Sequence, residues 1–273
     1  MFQQLRRIFS RKSLRSSKSA SYDRYVLVLS GGGTRGFYTL WVLKALEEMG
    51  LKEKVDAIYG VSIWAIFWCY RAAGWTAQEI FNHAKELSLF SSNWINVFPK
   101  QYLLKTHPLQ EYFKADLPAR LEDLRIKTYI GATDIYTAQL KLFSKGELIP
   151  PLLWSMALPG IFPSVKHQKF LLNDGGIIDN FPTTFAQKQY PNHKIIGVVL
   201  NKFEAYQEPK NLITTLITTF EVMMWKDLLE KLEQISIAFY EKIDCSVLEL
   251  RKSKRKDAFE QGYRSGMKKF KKL

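Results

Sequence analysis

The stretch YVLVLSGGGTRG, residues 25–36, decides the class of fold. Its first five residues, Tyr25 to Leu29, form an apolar run containing two valines, with no polar alternation. Such a run predicts a strand buried on both faces, as in a parallel sheet. Four glycines and an arginine follow, so the chain turns sharply between Gly31 and Gly36. Residues 37–49 then carry a helical period, with Leu40, Leu43, Ala45 and Leu46 on one side and Glu47 and Glu48 on the other. Strand, glycine turn and helix together open an α/β unit.

The same alternation continues along the chain. Val55 to Tyr59 predicts a second short strand, and residues 63–73 a helix with almost no polar face, hence a buried one. Further strands are expected at 126–132, 139–143 and 194–200, and helices at 76–90, 181–189 and 211–240. The last rests on Leu212, Leu216, Phe220, Met224 and Leu228, which step by four. The expected architecture is an α/β fold, a central mostly parallel sheet flanked by helices in three layers. With 273 residues, 47% of them hydrophobic, the chain can bury one large core.

Charge divides the chain. The net charge is +14, but residues 1–22 hold six Lys/Arg and no acid, and residues 251–273 hold ten against two acids. Residues 23–250 are therefore neutral overall. This suggests a basic, disordered arm over 1–22, a globular domain over 23–205 and a helical extension over 206–273 with a basic end. Basic ends favour anionic surfaces, membrane or nucleic acid. Residues 1–22 are also Ser-rich, which fits an organelle transit peptide as well as a plain basic arm; no apolar core follows them, so a secretory signal is not expected. The apolar runs near 58–70 and 149–163 are too short to span a bilayer. A cytoplasmic protein that touches a membrane is the expectation. Near the C-terminus, Phe259, Tyr263, Met267 and Phe270 make an apolar stripe among lysines. It suits a helix packed on the body or one lying on anionic lipid.

Two cysteines, Cys69 and Cys245, cannot build a disulfide framework and read as core residues of a reduced compartment. The four histidines, His83, His107, His167 and His193, lack a second ligand at metal spacing, so no metal site is expected.

Three segments carry chemistry. The turn Gly31–Gly36 presents backbone N–H groups at the start of a helix, a natural anion site for a phosphate or an oxyanion. It also satisfies G-x-G-x-x-G, the dinucleotide fingerprint, but that reading wants an acid at the end of the second strand, and Asp56 begins it. The second segment, Gly60-Val-Ser62-Ile-Trp64, follows a strand and enters a buried helix, the geometry that lifts a serine hydroxyl above a sheet. The third is Asn173-Asp174-Gly175-Gly176, either a plain turn or a carboxylate that another backbone can approach closely. No histidine follows the last strand, so an aspartate acting directly on serine is the economical arrangement.

These pieces, in this order, resemble the patatin-like phospholipase family from about Tyr25 to about Leu200. The resemblance is carried by the loop ending Arg35-Gly36, by Gly60-Val-Ser62, by Ala132-Thr-Asp134, by Ala157-Leu-Pro-Gly-Ile-Phe-Pro163, and by Asp174-Gly-Gly176 followed by Asn180-Phe-Pro182. Gln261-Gly-Tyr263 also looks like the end of bacterial members. The resemblance implies a serine–aspartate dyad of Ser62 and Asp174. It implies an oxyanion hole from the backbone of Gly31, Gly32 and Gly33 with Arg35 nearby, a lipid or acyl-ester substrate, and no cofactor. With such a substrate, a membrane is a more natural partner for the basic ends than nucleic acid.

The chain departs from that pattern at three tryptophans. The elbow is G-x-S-x-G, yet Trp64 holds its last position. Trp41 and Trp68 also stand where the family commonly has glycine. A catalytically impaired lipid-binding protein is one reading. The other is that the source reads UGA as glycine and positions 41, 64 and 68 are glycine in the native protein. Trp75, Trp94, Trp154 and Trp225 are open to either reading, because aromatic residues are plausible there.

Overall fold

A computed structural model describes residues 24–86, 95–96, 101–200, 208–224, 228–233, 235–240, 243 and 252–271. The expected basic arm, Cys245, Trp94 and Trp225 lie outside the described residues.

The strands are β1 (Tyr25–Leu29), β2 (Val55–Val61), β3 (Lys127–Asp134), β4 (Gln139–Phe143), β5 (Val165–His167), β6 (Phe170–Asp174), β7 (Lys194–Val199) and β8 (Ile237–Tyr240). They form one sheet in the order β5-β6-β3-β2-β1-β7-β8, with β4 also paired to β3. The half around β1 is parallel, whereas β4 and β6 both run antiparallel to β3. The sheet is thus mixed, with the mostly parallel centre that the sequence predicts.

The apolar run of β1 divides between two cores. Tyr25, Leu27 and Leu29 join one buried cluster, and Val26 and Val28 join the other. That two-residue alternation buries both faces of the strand, so no polar residue is tolerated in it. Helices α1 (Phe37–Glu48) and α2 (Ile63–Ala73) supply the first cluster with Leu40, Leu43, Ile66 and Trp68 among others. Helices α3 (Ala77–Glu86), α4 (His107–Lys114) and α5 (Ile149–Ser155) extend it. On the other face, the short turn α6 (Gly176–Asp179) leads to α7 (Thr183–Gln189), whose Ala186 packs against Val26 and Tyr59.

The predicted helix over 211–240 is corrected. The chain forms α8 (Leu212–Met223) and α9 (Leu228–Glu233), and residues 237–240 are strand β8. Ile237 pairs in parallel with Ile196 of β7, and Phe239 is fully buried. The helical stripe ends at Leu228, and pairing and burial make the β-branched and aromatic run beyond it a strand. The four-residue stripe is not core at its start either, since Leu212 and Leu216 are 73% and 47% exposed.

The last helix, α10 (Lys252–Phe270), lies along α1. Ala258, Phe259 and Phe270 are buried, and the Tyr263 hydroxyl donates to Glu48. Two glycines permit the approach. A side chain at Gly262 would run into the Tyr38 carbonyl, and a Cβ at Gly266 would lie 2.6 Å from that of Ala45. The stripe through Phe259, Tyr263 and Phe270 therefore packs on the body. We expect Gly262→Val to lower stability by roughly 2 kcal/mol or more, because a well-packed interface cannot absorb the added volume. Thermal unfolding of the variant checks this; an unchanged Tm would mean that α10 does not sit against α1.

Candidate active site

The end of β2 places Ser62. The strand is buried, and the chain must reverse at once into α2, so Ser62 takes φ 62° and ψ −161°. A non-glycine residue held there stores on the order of 1–3 kcal/mol, tolerated only where the surroundings enforce it. Ser62 heads α2 and stays partly exposed while the helix behind it is buried.

The end of β6 places Asp174. Residues 127–131 of β3 pair with β2, and residues 132–134 pair with β6. Strand β4 pairs with residues 130–134, overlapping both, so it must take the other edge of β3. Strands β2 and β6 consequently share one edge and run toward each other. They meet where Val61 faces Gly131 and Asp174 faces Ala132. The residue after Val61 is Ser62, and its Oγ donates to Asp174 Oδ2 at 2.7 Å.

Backbone contacts hold the carboxylate. The N–H of Gly176 donates to Asp174 Oδ1 at 2.8 Å, and the N–H of Asp174 donates to the Ala157 carbonyl at 3.0 Å. Gly175 carries no side chain because one would strike the Gly131 carbonyl and Val61. Asp174 is 1% exposed, and burial pushes its pKa up to about 7, against the pull of the bonds from Ser62 and Gly176.

The glycine loop crosses above this pair. A Cβ on Gly31 would lie 2.9 Å from Ser62 Cβ, so only glycine lets the loop pass. Gly32 sits against Leu200, and Gly33 adopts φ 53° at the start of the 3-10 turn Gly33–Gly36. Asn180 Nδ2 donates to the Gly31 carbonyl at 3.3 Å. Arg35 is buried in an ion pair with Glu221 of α8 at 2.9 Å. The loop, Ser62 and Asp174 thus form one constellation. It offers a hydroxyl already bonded to a carboxylate able to take its proton, beside a turn rich in backbone donors.

Sequence reading missed two parts of this site. Asn180 was visible as a motif residue before Phe181-Pro182, but its bond to the loop depends on how α6 turns after Asp174. Glu221 had no local signal. Asp56, weighed for a nucleotide ribose, hydrogen-bonds Arg24 and His193 at the N-terminal end of β2. That is the far end of the strand from the glycine loop.

The tryptophans crowd the same region. The Trp64 indole lies in the space above Gly36, and its Nε1 donates to the Gly33 carbonyl. Trp68 lies over Gly60, with Cδ1 2.7 Å from where a Cβ would stand. The Nε1 atoms of Trp41 and Trp68 are buried without a hydrogen-bond partner among the described residues. Buried indole N–H groups normally find one. The Trp41 and Phe259 rings have centroids 3.7 Å apart at 44°, closer than a relaxed tilted pair.

Comparison with known proteins bears on the family and the fold. The lysophospholipase NTE1 of Scheffersomyces stipitis is 29% identical over 182 residues, 64% of this chain and 12% of that protein. The NTE1 lysophospholipase of Saccharomyces cerevisiae is 29% identical over 177 residues, 63% of this chain and 10% of that one. The chain thus spans roughly an eighth of the length of these curated relatives. The crystal structure of VipD from Legionella pneumophila superposes with a TM-score of 0.55, covering 93% of this chain and 68% of that one at 14% identity, which shows a shared fold. The family model for patatin-like phospholipases matches residues 27–186, more than half the chain, and the chain belongs to that family.

Proposed function

We propose that the chain is a serine acyl hydrolase that cleaves carboxylic esters of lipids, of the phospholipase A or lysophospholipase type. The observation that carries this reading is the 2.7 Å bond between Ser62 and the buried Asp174. Ser62 Oγ attacks the ester carbonyl while Asp174 takes its proton. The tetrahedral oxyanion is held by loop N–H groups of Gly32 and Gly33, each worth roughly 3–4 kcal/mol. Collapse returns the proton to the leaving alcohol and leaves an acyl-Ser62 ester. Water, deprotonated by Asp174, then releases the fatty acid. The relatives named lysophospholipases support a lipid ester as substrate.

Desolvation makes Asp174 a stronger base than a free aspartate. The pH profile of kcat/KM should therefore rise through about 7, the pKa of Asp174, and level off above it. A fluorophosphonate probe should label Ser62, and Ser62→Ala and Asp174→Asn should abolish both labelling and ester hydrolysis. Labelling that survives Ser62→Ala would sink the assignment. Stability should move the opposite way from activity. The folded protein holds the Asp174 proton more tightly than the unfolded chain, whose pKa is near 3.8. This contribution is full below pH 3.8, lost as pH rises to about 7, and constant beyond. Asp174→Asn should raise Tm at pH 8 and leave it nearly unchanged at pH 4.

A second reading, an impaired lipid-binding relative, is favoured by the Trp64 indole bound to the Gly33 carbonyl. We attribute the tryptophans at 41, 64 and 68 instead to UGA codons that the source reads as glycine. The unpaired indole N–H groups and the close Trp41–Phe259 pair support this. Replacing a well-packed buried tryptophan by glycine should cost about 4 kcal/mol or more. Here we expect Trp64→Gly and Trp68→Gly to hold or raise Tm, and Trp64→Gly to label faster. UGG codons at these positions, or a steep loss of Tm, would refute the attribution.

A further inference from the structure

Helix α8 is inverted with respect to water. Among its described side chains Glu221 alone is buried, at 5% exposed, and its carboxylate pairs with Arg35 of the glycine loop. Four of its large apolar side chains are exposed, Leu212 by 73%, Leu216 by 47%, Val222 by 51% and Met223 by 51%, while Ile217 and Phe220 are half-buried. A helix seated on a protein in water normally buries its apolar stripe and exposes its charge. Burying a carboxylate while leaving four large apolar groups in solvent is unfavourable on both counts, unless the outer face has an apolar partner.

We propose that the outer face of α8 is a lipid-docking surface, which seats the chain on an anionic bilayer with the Ser62 site beside it. The proposal rests on the lipid-hydrolase reading for its choice of partner. Three observations point to lipid. First, the exposed face carries no ionisable group, because the one acid of Leu212–Met223 is turned inward. Among its hydroxyls, Thr215 donates to the Asn211 carbonyl and Thr214 is tied into the Asn211 capping box. These groups need no partner in a protein interface. Second, the face adjoins the site. Arg35 belongs to the glycine loop, and Leu216 Cδ1 lies 3.5 Å from the Cβ position of Gly160. Ile178, four residues after Asp174 and 40% exposed, lines the same depression as Met223. Third, Lys210 is exposed just before the helix, and the chain carries a net charge of +14, which suits anionic headgroups. This surface is separate from the basic ends. Charge draws the chain to the membrane, and α8 supplies the apolar contact that charge alone does not.

The test uses the full chain carrying Ser62→Ala, so that docking is read independently of catalysis, and Cys245→Ser. Leu216→Cys is labelled with an environment-sensitive nitrobenzoxadiazole dye. Lys194→Cys, at the opposite end of the sheet, serves as the control. With phosphatidylcholine–phosphatidylglycerol vesicles, the dye at 216 should brighten and shift to the blue, and the dye at 194 should not. In the unlabelled protein, Leu216→Asp combined with Met223→Asp should weaken vesicle binding about tenfold or more at high salt, where screened tails contribute little. In the active chain, the same pair should leave hydrolysis of a soluble short-chain ester unchanged and slow hydrolysis of vesicle lipid. Vesicle binding with no change at 216 would overturn the proposal in favour of docking through the basic ends. A dimer in solution that the Asp pair dissociates would overturn it in favour of a second copy covering the face. Loss of soluble-ester hydrolysis with vesicle binding intact would overturn it as well. Failure of the hydrolase reading would show separately, as an active chain inert on both esters while the Ser62→Ala protein still docks through position 216.

Discussion

Strands β2 and β6 share one edge of β3 and run toward each other until they meet. Everything at the site depends on that junction. A parallel strand and an antiparallel strand cannot overlap on one edge, so each must end where the other begins. The chain leaving β2 reverses immediately, which throws Ser62 into a strained backbone conformation above the sheet. The chain leaving β6 also turns at once, and Gly175 lets it turn against the Gly131 carbonyl. Two side chains 112 residues apart are thereby held at hydrogen-bond distance by backbone geometry alone. Burial then does the chemical tuning, because a carboxylate sealed behind the sheet keeps its proton to near neutrality.

The same economy makes the site sensitive to side-chain volume. Gly31 passes over Ser62 with no room for a methyl group, and Gly36 and Gly60 face positions 64 and 68 of α2. In a layer where backbone meets backbone, an indole can enter only by taking the space that a glycine on the other side leaves open. Trp68 over Gly60, and Trp41 on α1, leave their buried indole N–H groups without a partner among the described residues. A polar group sealed in an apolar core is unfavourable in a way that glycine at those positions would not be.

Arg35 links the site to the molecular surface. A guanidinium beside the glycine loop needs a carboxylate once it is buried. Glu221 supplies it from α8, so the helix must turn its acid inward and its leucines, valine and methionine outward. The loop's electrostatic requirement and the apolar outer face of α8 are therefore two consequences of one ion pair.

Much of the centre was legible from residues alone. The buried strand at Tyr25–Leu29, the glycine turn, the almost wholly apolar helix over 63–73 and the strand at 139–143 all follow from period and composition. Ser62 and Asp174 stood out as candidates only when their turns were read together with Gly31–Gly36 as one family pattern, since each turn alone is a weak signal. The junction was not legible. Which edge of β3 receives β6 is a matter of pairing between distant segments, and no local pattern encodes it. Strand β8 was lost for a related reason: the helix marked by the stripe that ends at Leu228 was extended to residue 240, and only pairing with the edge of β7 makes 237–240 a strand. The Arg35–Glu221 pair was likewise out of reach, since an acid in an apolar helix reads as its solvent-facing residue. Local sequence determined where the chain turns and which residues are candidates for chemistry. Tertiary structure decided which of them meet, because that depends on edges and cavities formed by segments far apart in the chain.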